Sequence, residues 1–227
     1  MILTDYEWQA IELSIKISIT AVIFSMPLGI LAAWVLVRCR FPGKSLLDSI
    51  IHLPLVLPPV VIGYLLLIGM GRRGIIGQWL YEWFGLSFSW RGAALASAVI
   101  AFPLMVRAIR LALEAVDTRL ELAARTLGAN PWRVFFTITL PLSFPGIVAG
   151  TVLAFARSLG EFGATITFVS NIPGETRTIP SAMYTLIQTP GAEADAARLC
   201  VIAILLSMAS LLLSEWLTRW GRKRLGV

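Results

Sequence analysis

The sequence predicts an all-α integral membrane protein with five transmembrane helices. Three observations carry that prediction. Of the 227 residues 57% are apolar and only 14% charged, the mean hydropathy is +0.81, and the apolar residues gather in runs long enough to cross a bilayer, about 20 residues each. An ordinary soluble domain carries about 25% charged residues, so lipid must solvate part of this chain. The same imbalance excludes disordered, collagen-like and disulfide-scaffold chains.

The first segment, Met1 to Glu12, holds Asp5, Glu7 and Glu12 and no basic residue. It lacks the positive region of a cleavable signal peptide, so the apolar run that follows is kept as structure. That run, 13–37, is the first expected span; 50–70 and 92–113 are the second and third. The fourth begins after Pro141 and covers 142–169, which is 28 residues. Wholly helical it would measure about 42 Å against a hydrocarbon core of roughly 30 Å, leaving room for tilt or a break. The fifth is 197–217. Pro27, Pro54, Pro58, Pro59 and Pro103 lie inside the spans, where neighbouring helices or water must satisfy the carbonyls they free. Gly146 and Gly150 form a GxxxG pair, a close-packing face.

Five spans put the termini on opposite sides. Arg38, Arg40 and Lys44, then Arg107, Arg110, Arg119, Arg125 and Arg133, then Arg219, Arg222, Lys223 and Arg224 are 12 of the 19 basic residues, and all fall on one set of flanks. The positive-inside rule makes that set cytoplasmic, with the N-terminus periplasmic, the C-terminus cytoplasmic and 107–141 as the main inner loop. The net charge of +6 is therefore read as sidedness, with no nucleic acid expected as a partner. Cys39 and Cys200 have no metal or redox spacing, and on opposite faces they cannot pair within one chain.

The inner loop, 117–141, reads DTRLELAARTLGANPWRVFFTITLP. Thr118 to Leu127 has a short helix pattern, Gly128 fits its stop, Asn130 fits the next N-cap and Pro131 the first helical position. The spacing predicts a helix-turn-helix. Trp132, Phe135, Phe136 and Ile138 give its second helix a bulky apolar stripe, and Pro141 is expected to end the segment as the chain re-enters the membrane. The second helix is aromatic rather than basic and both ends are tethered to membrane, which argues against reading DNA. Two occupants remain for the stripe: the bilayer surface or a partner protein.

Ala123-Ala124, Gly128 four residues on, then Ile138, Leu140 and Pro141 resemble the EAA loop of binding-protein-dependent ABC importer permeases, written E-A-A, three residues, G, nine residues, I-x-L-P. Leu122 stands at the usual Glu position, and the acidic residue comes one place earlier as Glu121. The resemblance implies that the loop is a coupling helix docking on a separate ATPase, with Glu121, Leu122, Ala123, Ala124, Gly128 and Arg133 as the coupling residues. It implies no cofactor in this chain, since ATP and Mg would be bound by the partner. Gly43-Lys44-Ser45 looks like the tail of a Walker A motif, but Arg38 occupies its first glycine position and no strand precedes it.

The fourth span carries Arg157, Ser158, Gly160, Glu161, Gly163 and Thr165. Arg157 lies about 23 Å along a straight helix from Leu142, where a charge costs about 3 kcal/mol unless paired or hydrated. Arg157 and Glu161 are four apart and can share a face. One reading is a structural ion pair that packs the bundle. The other is a water-lined path or gate for a hydrated anion, in which these six residues take part. The stretch 156–191 resembles the oxyanion permeases of the same superfamily, closest to the molybdate group, with tungstate and sulfate relatives as alternatives. Similarity runs over about 8–220, one permease domain. The family implies a homodimer in the bacterial inner membrane with two cytoplasmic ATPase subunits and a periplasmic oxyanion-binding protein, facing outer loops at 71–90 and 172–196.

An intramembrane enzyme is the rival from another class. His52 is the only histidine, and no metal or triad constellation is expected around it. No catalytic residue and no metal ligand is assigned.

Overall fold

The computed structural model describes residues 3–71 and 88–225, with side chains described through residue 220. Every element among them is helical. Helix α1 (Asp5–Arg38) starts at a capping box in which Thr4 and Glu7 satisfy each other's backbone N–H groups. It continues through Pro27. Its 34 residues make about 51 Å of helix, so it extends two turns before the expected span.

The second span is not the single helix expected over 50–70. Helices α2 (Lys44–Val56) and α3 (Pro59–Met70) meet at 114°. The adjacent prolines cause the turn: each disfavours helix in the residue before it, and Leu57 and Pro58 are accordingly extended, with ψ of 141° and 135°. Pro54 stays inside α2.

Helix α4 (Trp90–Glu114) begins at Ser89, whose hydroxyl accepts from the Gly92 N–H. Helices α5 (Thr118–Thr126) and α6 (Pro131–Val134) follow. Pro141 does not end the segment. A π turn, Phe135–Thr139, carries α6 into α7 (Leu140–Leu159), giving 29 residues of continuous helix from Pro131. Proline in a helix clashes with the carbonyl four residues back and lacks the N–H to bond it. The wider π turn just before Pro141, in which the Leu140 N–H reaches back to the Phe135 carbonyl, relieves both problems. Helix α7 stops at Gly160, so the expected 142–169 span is broken, and α8 (Gly163–Val169) follows as a separate helix. Helices α9 (Ile179–Ile187) and α10 (Glu193–Leu225) complete the chain. Among the described residues four helical stretches are long and apolar enough to cross a membrane, and the bent α2–α3 pair is the candidate for a fifth. Most of the loop expected at 71–90 lies outside the described residues.

Helix α4 is the hub. Gly29 of α1 faces Met105, where a Cβ would lie 3.0 Å from the sulfur, and Arg38 reaches the Leu113 carbonyl, so the two helices run parallel. Gly146 and Gly150 of α7 face Ala112 and Ala108, running the other way. A Cβ on either would come within 2.1 Å and 3.1 Å of those alanine methyls, which is the close packing expected of the pair. Among the described residues three apolar cores result, one around Ile17, Ile100 and Phe168, one around Leu36, Met105, Ile109 and Leu113, and one around Ile11, Ile179 and Leu199. The outside is apolar too: Phe24, Leu28, Val56, Leu205 and Leu212 are exposed, a surface that lipid or other subunits must cover.

Candidate functional site

Two places concentrate polar groups in this apolar body. The first is the loop built by α5 and α6. The Asp117 carboxylate accepts from the Arg119 N–H at 2.9 Å and starts α5. Its end is a Schellman motif: Gly128 has φ of +86°, its N–H donates to the Arg125 carbonyl, and the Ala129 N–H donates to the Ala124 carbonyl. Asn130 then caps α6 through the Arg133 N–H at 2.7 Å, and Pro131 takes the first helical position. Each of these signals stands in the sequence.

Leu122, Ala123, Gly128 and Arg133 are exposed. Leu127 is 88% exposed, and Trp132 66%, so a bulky apolar knob projects from the end of the bundle. Trp132 is braced from below. It stacks on Trp34 of α1 at 6.3 Å between ring centres, and Phe135 meets the same indole edge-on at 6.0 Å. Ala124 is half-buried. Glu121 points the other way: it is the buried residue of α5, and its Oε1 accepts from Arg38 Nη2 and from the Thr139 hydroxyl, both at 2.7 Å. In the sequence Arg38 counts only toward sidedness, and nothing in the local spacing joins it to a residue 83 positions away.

The second place is the break between α7 and α8. Arg157 Nη1 lies 2.8 Å from Glu161 Oε2, with the arginine side chain 32% exposed and the glutamate 1%. The other carboxylate oxygen accepts from the Ala164 N–H at 2.8 Å, so Glu161 also caps the start of α8. Gly160 is exposed, whereas Ser158 and Thr165 are buried. Thr165 donates to the Phe162 carbonyl. Gly163 faces the other helix break, since a Cβ there would lie 3.0 Å from Pro59 Cβ, and a Cβ on Gly63 would collide with the Ala164 carbonyl at 2.5 Å. The structure thus brings Arg157, Gly160 and Glu161 together and puts Ser158, Gly163 and Thr165 in packing positions. Beside the break, α9 and α10 frame a groove of about 340 Å³ lined by Phe162, Met183, Tyr184 and Leu206, too apolar to hold an anion.

His52 has an acidic neighbour one helical turn back. Its Nδ1 lies 3.2 Å from Asp48 Oδ1, but Arg110 engages both oxygens of that carboxylate at 3.1 and 3.2 Å and Glu114 at 2.9 Å. The cluster is a polar tie between α2 and α4. Among the described residues no group of three or more His, Cys, Asp or Glu side chains is placed to hold a metal. At the opposite end, Arg198 joins α10 to Glu7 of α1 at 3.0 Å and also pairs with Asp195.

Residues 25–227 match the family described as "Binding-protein-dependent transport system inner membrane component". The chain belongs to this family. As an inner-membrane component of such a system it is a multi-pass transport protein, and the EAA-loop resemblance fits. Over its whole length, and the whole length of the relative, it is 75% identical to the Molybdenum transport system permease protein ModB of Escherichia coli (strain K12). It is 36% identical to the Sulfate transport system permease protein CysT of the same organism, over 96% of this chain and 79% of the other. A bacterial alginate ABC transporter crystallised with its pentasaccharide-bound periplasmic protein contains a chain of the same fold, with TM-score 0.76 and 18% identity over 95% of this chain and 79% of that one.

Proposed function

We propose that this chain is the permease subunit of an ATP-driven importer of molybdate, forming the path across the membrane and coupling it to separate ATPase subunits. The observation that carries the reading is the 75% identity, end to end, to a molybdenum permease. The sulfate relative, at half that identity, makes sulfate and tungstate the neighbouring alternatives.

In this reading 8–220 is one permease domain with its N-terminus periplasmic and its C-terminus cytoplasmic. The loop 117–141 faces the cytoplasm, and its knob of Leu127 and Trp132 fills a groove on an ATPase. Leu122, Ala123, Ala124, Gly128 and Arg133 form the contact face. Two copies of the chain pair around the path, each holding one ATPase that binds ATP and Mg, while a periplasmic oxyanion-binding protein delivers cargo. Burial of Glu121 fits a loop whose contact with the motor is apolar and shape-based.

At the path, Arg157 offers a hydrated positive group. Glu161, neutralised by Arg157 and tied to the Ala164 amide, keeps its negative charge from repelling an anion. A weak, partly neutralised site suits passage better than capture. The testing experiment is ligand-dependent ATPase stimulation in vesicles holding the permease, its ATPase and the cognate binding protein. Molybdate is expected to stimulate turnover and to be imported in preference to sulfate; equal or greater stimulation by sulfate would overturn the cargo assignment.

A further inference from the structure

We propose that Arg38, Glu121 and Thr139 form a joint that transmits movement of α5 into the membrane helices, with Glu121 as its positioning residue. The proposal rests on the permease reading above. Little else holds α5. All of its side chains but one lie at or near the surface, and Glu121 is the residue it buries. Apolar packing therefore cannot fix the helix, and a carboxylate does so instead.

That carboxylate reaches two separate elements. Oε1 accepts from Arg38 Nη2 at the last residue of α1 and from the Thr139 hydroxyl at the end of the π turn, each at 2.7 Å. The same Nη2 lies 3.4 Å from the Leu113 carbonyl near the end of α4, one of the acceptors a helix end leaves unpaired. A displacement of α5 therefore pulls on α1, on α4 through the shared guanidinium, and on α7 through the π turn. Charge-assisted hydrogen bonds are short and directional, so the joint resists sliding in a way that an apolar contact would not. Arg38 Nε is buried with no hydrogen-bond partner among the described groups.

The π turn supplies the compliance such a joint needs. Turns of this kind mark functional positions in helices more often than chance, and this one ends at Thr139, the residue that bonds Glu121. Its wider ring leaves the helix locally soft just where the joint attaches, so α7 can bend there as α5 moves.

The test uses the complete importer in vesicles with the binding protein, molybdate as the probe, and two readouts: co-purification of permease with ATPase, and ATP hydrolysed per molybdate imported. E121A and R38A complexes that co-purify with the ATPase are expected to raise the ATP-to-molybdate ratio about fivefold or more. The double variant R38A/E121A should be no worse than either single one, since all three remove the same joint. T139V, which keeps the ion pair, should raise the ratio about twofold. Assembled E121A and R38A complexes with the wild-type ratio would overturn the proposal. If E121A fails to assemble, T139V decides: an unchanged ratio overturns the joint and a raised one supports it. Wild-type vesicles that neither import molybdate nor hydrolyse ATP in response to it would defeat the permease reading instead.

Discussion

Removing the Arg157 guanidinium leaves the Glu161 carboxylate buried without a counter-charge, a loss that typically costs about 3 to 5 kcal/mol. Removing the carboxylate leaves a guanidinium that is one third exposed and can rehydrate. Arg157→Gln is therefore expected to lower the thermal stability of the detergent-purified protein more than Glu161→Gln does. The double substitution should recover much of the loss, because neither charge is left alone. Uptake then separates the two roles that the spacing of these residues leaves open. A purely structural pair recovers transport along with stability in the double variant, whereas a path arginine recovers stability alone. The i, i+4 spacing makes this pair legible in the sequence. The cap that Glu161 places on α8 is not legible there, because it depends on a helix break whose position no local pattern records. Arg38, Thr139 and Trp34 are likewise invisible as site residues, since their roles arise from contacts between distant elements.

Among the helices, turn chemistry is the most legible. Gly128, Asn130 and Pro131 each act where their backbone preferences place them, and the GxxxG pair packs against small residues as its type predicts. Two of the elements that depart from expectation share a cause. Proline weakens a helix by one bond and one clash, and the surroundings decide whether it breaks. Two in a row at Pro58 and Pro59 turn the chain by 114°, while at Pro141 one π turn absorbs the strain. Gly146 offers the sharpest test of helix packing. A Cβ there would meet Ala112 at 2.1 Å, so Gly146→Leu must push α7 from α4. Overpacking of that kind costs about 1–3 kcal/mol or more, and the expected outcome is a lowered melting temperature, with the companion substitution Ala112→Gly restoring part of it. An unchanged melting temperature for Gly146→Leu would mean that the two helices do not pack through this glycine.

For the molecule as a whole, the proposed sidedness puts its two free cysteines on opposite faces, Cys39 at the inner end of α1 and Cys200 near the outer start of α10. In sealed, right-side-out vesicles a membrane-impermeant maleimide is expected to label Cys200 and to spare Cys39 until the vesicles are opened. The reverse pattern would invert the topology. The overall plan is legible because lipid imposes it: scarce charge, long apolar runs and clustered arginines follow from one solvent. Cargo is legible only through kinship, since no spacing in the chain distinguishes one tetrahedral oxyanion from another.

The contact between the two helix breaks, Pro59 against Gly163, has an electrical consequence. Helix α3 has 12 residues and α8 has 7, about 18 Å and 10 Å respectively, so neither reaches across a hydrocarbon core alone. A path that passes this seam, as proposed above, carries its cargo through the transmembrane voltage. Molybdate carries two negative charges, so entry into a cell that is negative inside requires work of about 4.6 kcal/mol per 100 mV. A permease that moves the free anion should therefore import more slowly as the interior is made more negative.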